Sequence, residues 1–119
     1  MSVRKAVYSL MSGLESDCYP VYAQQETTDT YAVYSTSRDL VLTQEGAKVY
    51  EVRVTVDIYA NDLSDCIGLA ETLEAGMHDA SGTYASETLM VCNLESERDN
   101  PPIGDKINIT QEYILKFEV

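Results

Sequence analysis

The sequence predicts a single α+β domain: a two-layer sandwich in which a mainly antiparallel sheet of about four to five strands carries two helices packed on one face. Three observations predict it. Residues 49–59 alternate strictly, with Tyr50, Val52, Val54, Val56 and Ile58 against Glu51, Arg53, Thr55 and Asp57. That is the period of two of a strand with one wet face. Directly after it, Leu63, Cys66, Ile67, Ala70, Leu73 and Met77 follow the three-four spacing of an amphipathic helix. The chain then closes on a second long alternation over residues 106–119. The implied element order is α-β-β-β-α-β-β, and helices on one face of an antiparallel sheet are the economical way to bury it.

Each element has its own signal. Residues 2–16 place Val3, Val7, Leu10 and Leu14 on one helical stripe with Ala6 and Met11 beside it, and Ser2 is positioned as the cap. Residues 18–23 (CYPVYA) read as a short extended segment, and Pro20, which lacks a ladder donor, puts it at a sheet edge or strand start. Residues 24–30 are a polar loop. Residues 30–36 (TYAVYST) form a strand that continues irregularly through 39–43. Gln44, Glu45 and Gly46 turn it into the strand at 49–59, so the two pair as an antiparallel hairpin. Asn61 or Asp62 caps the second helix, which folds back onto the strand's apolar face and stops at residues 76–82, with His78 in its last turn. Residues 88–94 (TLMVCNL) are a third core strand. The charged run 95–100, followed by Pro101, Pro102 and Gly104, reads as an irregular connection. In the terminal strand Ile107, Ile109, Gln111, Tyr113, Leu115, Phe117 and Val119 oppose Asn108, Thr110, Glu112, Lys116 and Glu118, with Ile114 the one apolar residue on the polar face.

Composition narrows the function. A chain of 119 residues buries about two thirds of its unfolded surface, enough for one core without disulfide or metal. Twenty acidic against eight basic residues give a net charge of −12, which repels phosphate backbones and anionic lipid. Cys18, Cys66 and Cys92 are odd in number and differ in context; they read as reduced, buried thiols of a cytosolic protein, with a pairing between two of them left open. No apolar run is long enough for a signal peptide or a membrane span.

The chemistry-bearing residues do not converge. His78, Asp79 and Ser81 are neighbours at a helix end and cannot adopt a triad geometry. The cysteines and His78 show no zinc-ligand spacing. Glu95, Glu97 and Asp99 have strand spacing, but Arg98 interrupts them and no glycine-bearing calcium loop is present, so they read as a solvated strand end. Phosphate-cradling and nucleophile-elbow motifs are missing. The expectation is a protein with no catalytic residue, cofactor or metal. The nine tyrosines, with no tryptophan, serve sheet packing or a protein interface; Tyr19, Tyr22, Tyr31, Tyr34 and Tyr59 are the interface candidates.

Four stretches, in order, resemble the tail-terminator or tail-completion proteins of long-tailed bacteriophages and prophages, also known as minor tail or head–tail joining proteins. They are CYPVYA after the first helix, EVRVTVDIYANDLSDCIGLAETLEAGM at 51–77, LESERDN at 94–100, and the closing QEYILKFEV. The tryptophan often found near the family's closing strand end is missing, with Phe117 in its neighbourhood, and residues 24–30 lack a proline-rich approach. The resemblance implies a non-enzymatic virion protein that caps the head-proximal end of the tail tube as a ring, commonly a hexamer, touching the tail-tube protein and a head-completion or neck protein. It implies assembly in the bacterial host cytoplasm and residence in the virion tail, with DNA only as passing cargo. Glu51, Asp57, Glu112 and Glu118 are the candidates for an acidic channel lining that DNA would not stick to. The competing readings are another neck component, such as a head-closure or connector protein, and a host protein-binding module using an exposed sheet edge. An enzyme built from carboxylates ranks last.

Overall fold

A computed structural model describes residues 3–14, 18–20, 30–42 and 48–118. The elements are α1 (Val3–Leu14), β1 (Cys18–Pro20), β2 (Tyr31–Leu42), β3 (Lys48–Ala60), α2 (Leu63–Met77), β4 (Gly82–Tyr84), β5 (Glu87–Ile103) and β6 (Lys106–Glu118). One sheet in the order β1-β2-β3-β6-β5-β4 carries both helices, so the fold is α+β. Four long antiparallel strands form its body; β1 and β4, three residues each, are the edges. The expected cap Ser2, the hairpin tip at 43–47, most of the loop at 24–30, Tyr22 and Val119 lie outside the described residues.

The alternation of β3 decides the layering. Val52, Val54, Val56, Ile58 and Ala60 are buried together with Ile109, Tyr113, Leu115 and Phe117 of β6, which lie opposite or diagonal to them. Against that face α2 buries Cys66, Leu69, Ala70, Leu73 and Met77, and α1 buries Ala6, Val7, Leu10 and Met11, in one continuous core. Helix α1 touches both β1 and β4, the first and last strands of the sheet. The sheet therefore curls until one helix spans the gap between its edges. The two helices meet at Gly76, where a Cβ would stand 2.4 Å from a Leu14 methyl. Any larger residue there would have to displace Leu14.

Local chemistry sets the element ends. Asp62 is the N-cap of α2: its backbone is extended and its Oδ1 accepts from the Asp65 N–H at 2.8 Å, a contact contributing about 1 kcal/mol. His78 ends the helix, its N–H donating to the Glu74 carbonyl at 2.9 Å. Gly104, with φ +61°, takes the left-handed conformation at the first position of the two-residue turn between β5 and β6.

Three expectations are corrected. The stretch ESERDNPP is part of β5, not an irregular connection: β5 runs to Ile103 and pairs with β6 throughout, with irregularities at Leu89/Val91, Leu94/Ser96 and Asn100/Ile103. Past the three residues that β4 covers, β5 is a sheet edge among the described residues, so Pro101 and Pro102 can sit at a bulge without costing a ladder bond. The charged side chains guard that edge against pairing with other chains. Leu63 and Ile67 are exposed, at 53% and 40%, because the sheet takes the stripe centred on Leu73, and Leu69 fills the place assigned to them. The segment containing Cys18 lies at a sheet edge, as expected, and pairs parallel with β2. Finally, β4 was not expected.

Candidate functional site

No catalytic constellation forms around His78. Its Nδ1 accepts from the Leu94 N–H at 3.2 Å, while the Asp79 N–H donates to the Cys92 carbonyl at 2.8 Å. The turn after α2 thus stands in for a neighbouring strand along the open edge of β5. His78 also borders an open depression of about 270 Å³ with Glu71, Glu74 and Ala75. Among the described residues no three His, Cys, Asp or Glu side chains converge in a way that could hold a metal ion. Likewise, no described helix is long and apolar enough to cross a membrane.

Cys66 and Cys92 are buried and free; the Cys18 side chain is outside the described set. The Cys66 thiol lies 3.6 Å from the Ile58 carbonyl and 3.8 Å from that of Ile107, and burial pushes its pKa up. Burial raises that of Cys92 to about 12, with the Asp79 carboxylate adding to the rise. The native state therefore keeps the Cys92 proton above roughly pH 8.5, where an unfolded thiol ionises. Unfolding releases that proton between there and about 12, so stability falls as pH rises through this window and is unaffected by Cys92 below it. Urea midpoints at pH 7.5 and 10.5 should separate more for the wild type than for Cys92→Ala; equal separations would refute the assignment.

The sheet face turned away from the helices is polar and internally paired. Strand register puts Glu51, Arg53, Thr55, Asp57 and Tyr59 of β3 beside Lys116, Ile114, Glu112, Thr110 and Asn108 of β6. Arg53 donates to Glu95 at 2.9 Å, which holds the guanidinium's pKa above its ordinary value. Glu112 accepts from the Ser96 hydroxyl at 3.1 Å and lies 3.9 Å from Arg98. Thr110 donates to Asp57 at 2.6 Å, and the Asn100 amide donates to Asn108 Oδ1 and Thr110 Oγ1, both at 2.6 Å. Glu51, Asp57, Glu112 and Glu118 thus share one face with four bases among the described residues, Arg53, Arg98, Lys106 and Lys116. The charge surplus is greater on α2 and its flanks, where Asp62, Asp65, Glu71, Glu74 and Asp79 occur without a single Lys or Arg.

Of the tyrosine candidates, Tyr31 and Tyr59 come together at the start of β2 and the end of β3. Their rings stack with centroids 5.2 Å apart, and the Lys106 ammonium stands 5.7 Å from the Tyr31 ring. Burial raises the Tyr59 pKa first, and the nearby Asp57 charge adds to it. Tyr34 is corrected: at 4% exposure its ring belongs to the core, because β2 turns that position toward the helices. Tyr19 falls on edge strand β1, its side chain not described. Sequence reasoning missed Gln111, fully buried on the helix-facing side of β6. Its Nε2 donates to the Ala70 carbonyl (3.0 Å) and Glu97 Oε2 (2.7 Å), and its Oε1 accepts from the Tyr113 hydroxyl (2.8 Å). The one visible signal was a glutamine in an otherwise apolar alternation.

The fold defines the class: a curled, mainly antiparallel sheet with two helices packed on its inner face. No protein-family model matches the chain, and no curated protein does. Among solved structures it is similar to a chain in the virion of a native gene transfer agent particle. The likeness has a TM-score of 0.76 and covers 99% of this chain and 96% of that one. At 11% identity it is a likeness of fold.

Proposed function

We propose that this chain is a structural protein of a phage-like particle, which caps the head-proximal end of the tail tube as a hexameric ring and joins it to the neck. The observation that carries this reading is the fold shared with a virion chain over nearly the full length of both. The ordered sequence resemblance to tail terminators supports it independently. In this reading the protein carries out no reaction. Its partners are copies of itself, the tail-tube protein and a head-completion or neck protein. It assembles in the host cytoplasm and ends in the virion. The stacked Tyr31–Tyr59 pair is an accessible aromatic contact for a neighbour. The polar sheet face, with Glu51, Asp57, Glu112 and Glu118, faces the lumen, where Asp57 and Glu112 are held by hydrogen bonds and passing DNA meets no uncompensated basic patch.

Solution mass by light scattering after size exclusion, over a range of protein concentrations, tests the reading. The expected species lies near six times the 13.2 kDa chain. A monomer throughout, which also fails to assemble on added tail-tube polymer, overturns it. A second reading draws on β2: β1 covers only Ala32, Val33 and Tyr34, and beyond them the outer edge has no partner among the described residues. A host module that adds a peptide strand there would be monomeric or dimeric and would bind extended peptides without any phage partner.

A further inference from the structure

We infer that the outward flank of α2 is a docking surface for a basic amphipathic helix of a different protein, a contact that stands whether or not the chain closes into a ring. Leu63 and Ile67, one turn apart, are exposed on this flank. At about 100° per residue, Glu71 and Glu74 fall on the same side of the helix. Beyond Ile67 the flank opens into a depression of about 270 Å³ that both glutamates line with Ala75 and His78. An apolar pair leading into an acid-lined hollow matches the two parts of a basic amphipathic helix, its apolar stripe and the long cationic side chains beside it.

Gly68 points to a helix as the occupant. It lies in the interior of α2, where glycine weakens a helix relative to alanine. Nothing within the chain requires it: its backbone is not left-handed, and a Cβ there would meet nothing within 4 Å among the described residues. Gly76 is the contrast, since a Cβ there would strike Leu14. Ser64, Gly68 and Ala75 are exposed and fall within about 40° of one another around the axis. They form a lane of small residues beside Leu63 and Ile67, along which a second helix axis can approach to about 8 Å.

Charge selects a basic partner over a second copy. Between Arg53 and Arg98 the sequence contains no lysine or arginine, while α2 carries Asp65, Glu71 and Glu74 and is flanked by Asp62 and Asp79. Glu74 also sits near the negative end of the helix dipole, and the last turn holds no base to offset it. That placement is unfavourable in the free chain and is relieved by a cation brought to this end. A second copy approaches with a net charge of −12 of its own, whereas a cationic helix is attracted by every one of these carboxylates.

The probe is a synthetic helical peptide of about 18 residues, five turns long, with leucine and alanine on one face and arginine along its flank. A scrambled peptide of the same composition is the control. Titrated into the isotope-labelled full chain, the ordered peptide should shift the amide resonances of residues 63–78 ahead of all others, and the scrambled one should bind at least about tenfold more weakly. Gly68→Gln enters open space, so it should leave the melting temperature unchanged or raised while weakening the ordered peptide about tenfold or more. Glu71→Lys with Glu74→Lys should weaken it at least as much at low salt, with circular dichroism confirming the fold. Equal binding of the two peptides, undiminished binding by either variant, a footprint on the polar sheet face or a sheet edge, or no binding at all overturns the proposal. If the variants instead dissociate an oligomer of the chain itself, a second copy occupies the flank; the proposal is then overturned and the ring reading stands.

Discussion

Gln111→Leu is expected to destabilise the domain by about 3 kcal/mol, although leucine nearly matches glutamine in volume and leaves no cavity. The loss comes from the hydrogen bonds that the Gln111 amide makes where β5, β6 and α2 meet. The buried Tyr113 hydroxyl loses the acceptor at 2.8 Å, and Glu97 loses the donor that ties β5 to β6 and, through the Ala70 carbonyl, to α2. Removing both ends of one bond should cost less than the sum of its parts. Tyr113→Phe in the Gln111→Leu background is therefore expected to cost less than it does alone, where it costs about 1–2 kcal/mol. Urea unfolding followed by circular dichroism measures all four corners of the cycle. Additive losses would show that the bond is incidental.

Phe117→Ala should cost as much or more, about 3–5 kcal/mol, through lost burial and the cavity left behind. Phe117 is fully buried near the end of β6, opposite Tyr50 on one side and Leu89 on the other. It is the only phenylalanine in the chain. Against a total stability of about 5–15 kcal/mol for a domain, such a loss lowers the melting temperature by about 15 °C or more. Phe117→Leu, which keeps most of the volume, should lose less than half as much; equal losses for the two variants would show that the site collapses instead of leaving a cavity.

These two positions differ in how far they could be read beforehand. Phe117 lies in a plain alternation, and its burial follows from its parity. Gln111 has the same parity and is equally buried, but whether a polar residue at a core position is tolerated depends on the Tyr113, Glu97 and Ala70 partners that only packing supplies. The interface candidates divide the same way. Tyr31 and Tyr59 are opposite one another on the open face, whereas Tyr34, three residues from Tyr31, has the parity of the core. The acidic candidates share a face, as alternation required, but their hydrogen bonds to Thr110 and Ser96 and the proximity of Arg98 could not be foreseen.

The sequence by itself determined the two helices, the central part of each of the four long strands, the antiparallel hairpin of β2 with β3 and the face each of these stretches turns inward, because periods of two and about 3.6 are local consequences of backbone geometry. The tertiary structure alone decided which charged run becomes strand. ESERDNPP has a composition suited to a loop, and only its place at an edge, paired with β6 on one side, lets it extend. Likewise β4 exists because Ala85 and Ser86 accept left-handed backbone in a two-residue turn that no Asn-Gly or Asp-Gly announces. Tertiary structure also decided that Leu63 and Ile67 stay outside, because a curled sheet receives a helix along one stripe and leaves the flank beside it exposed.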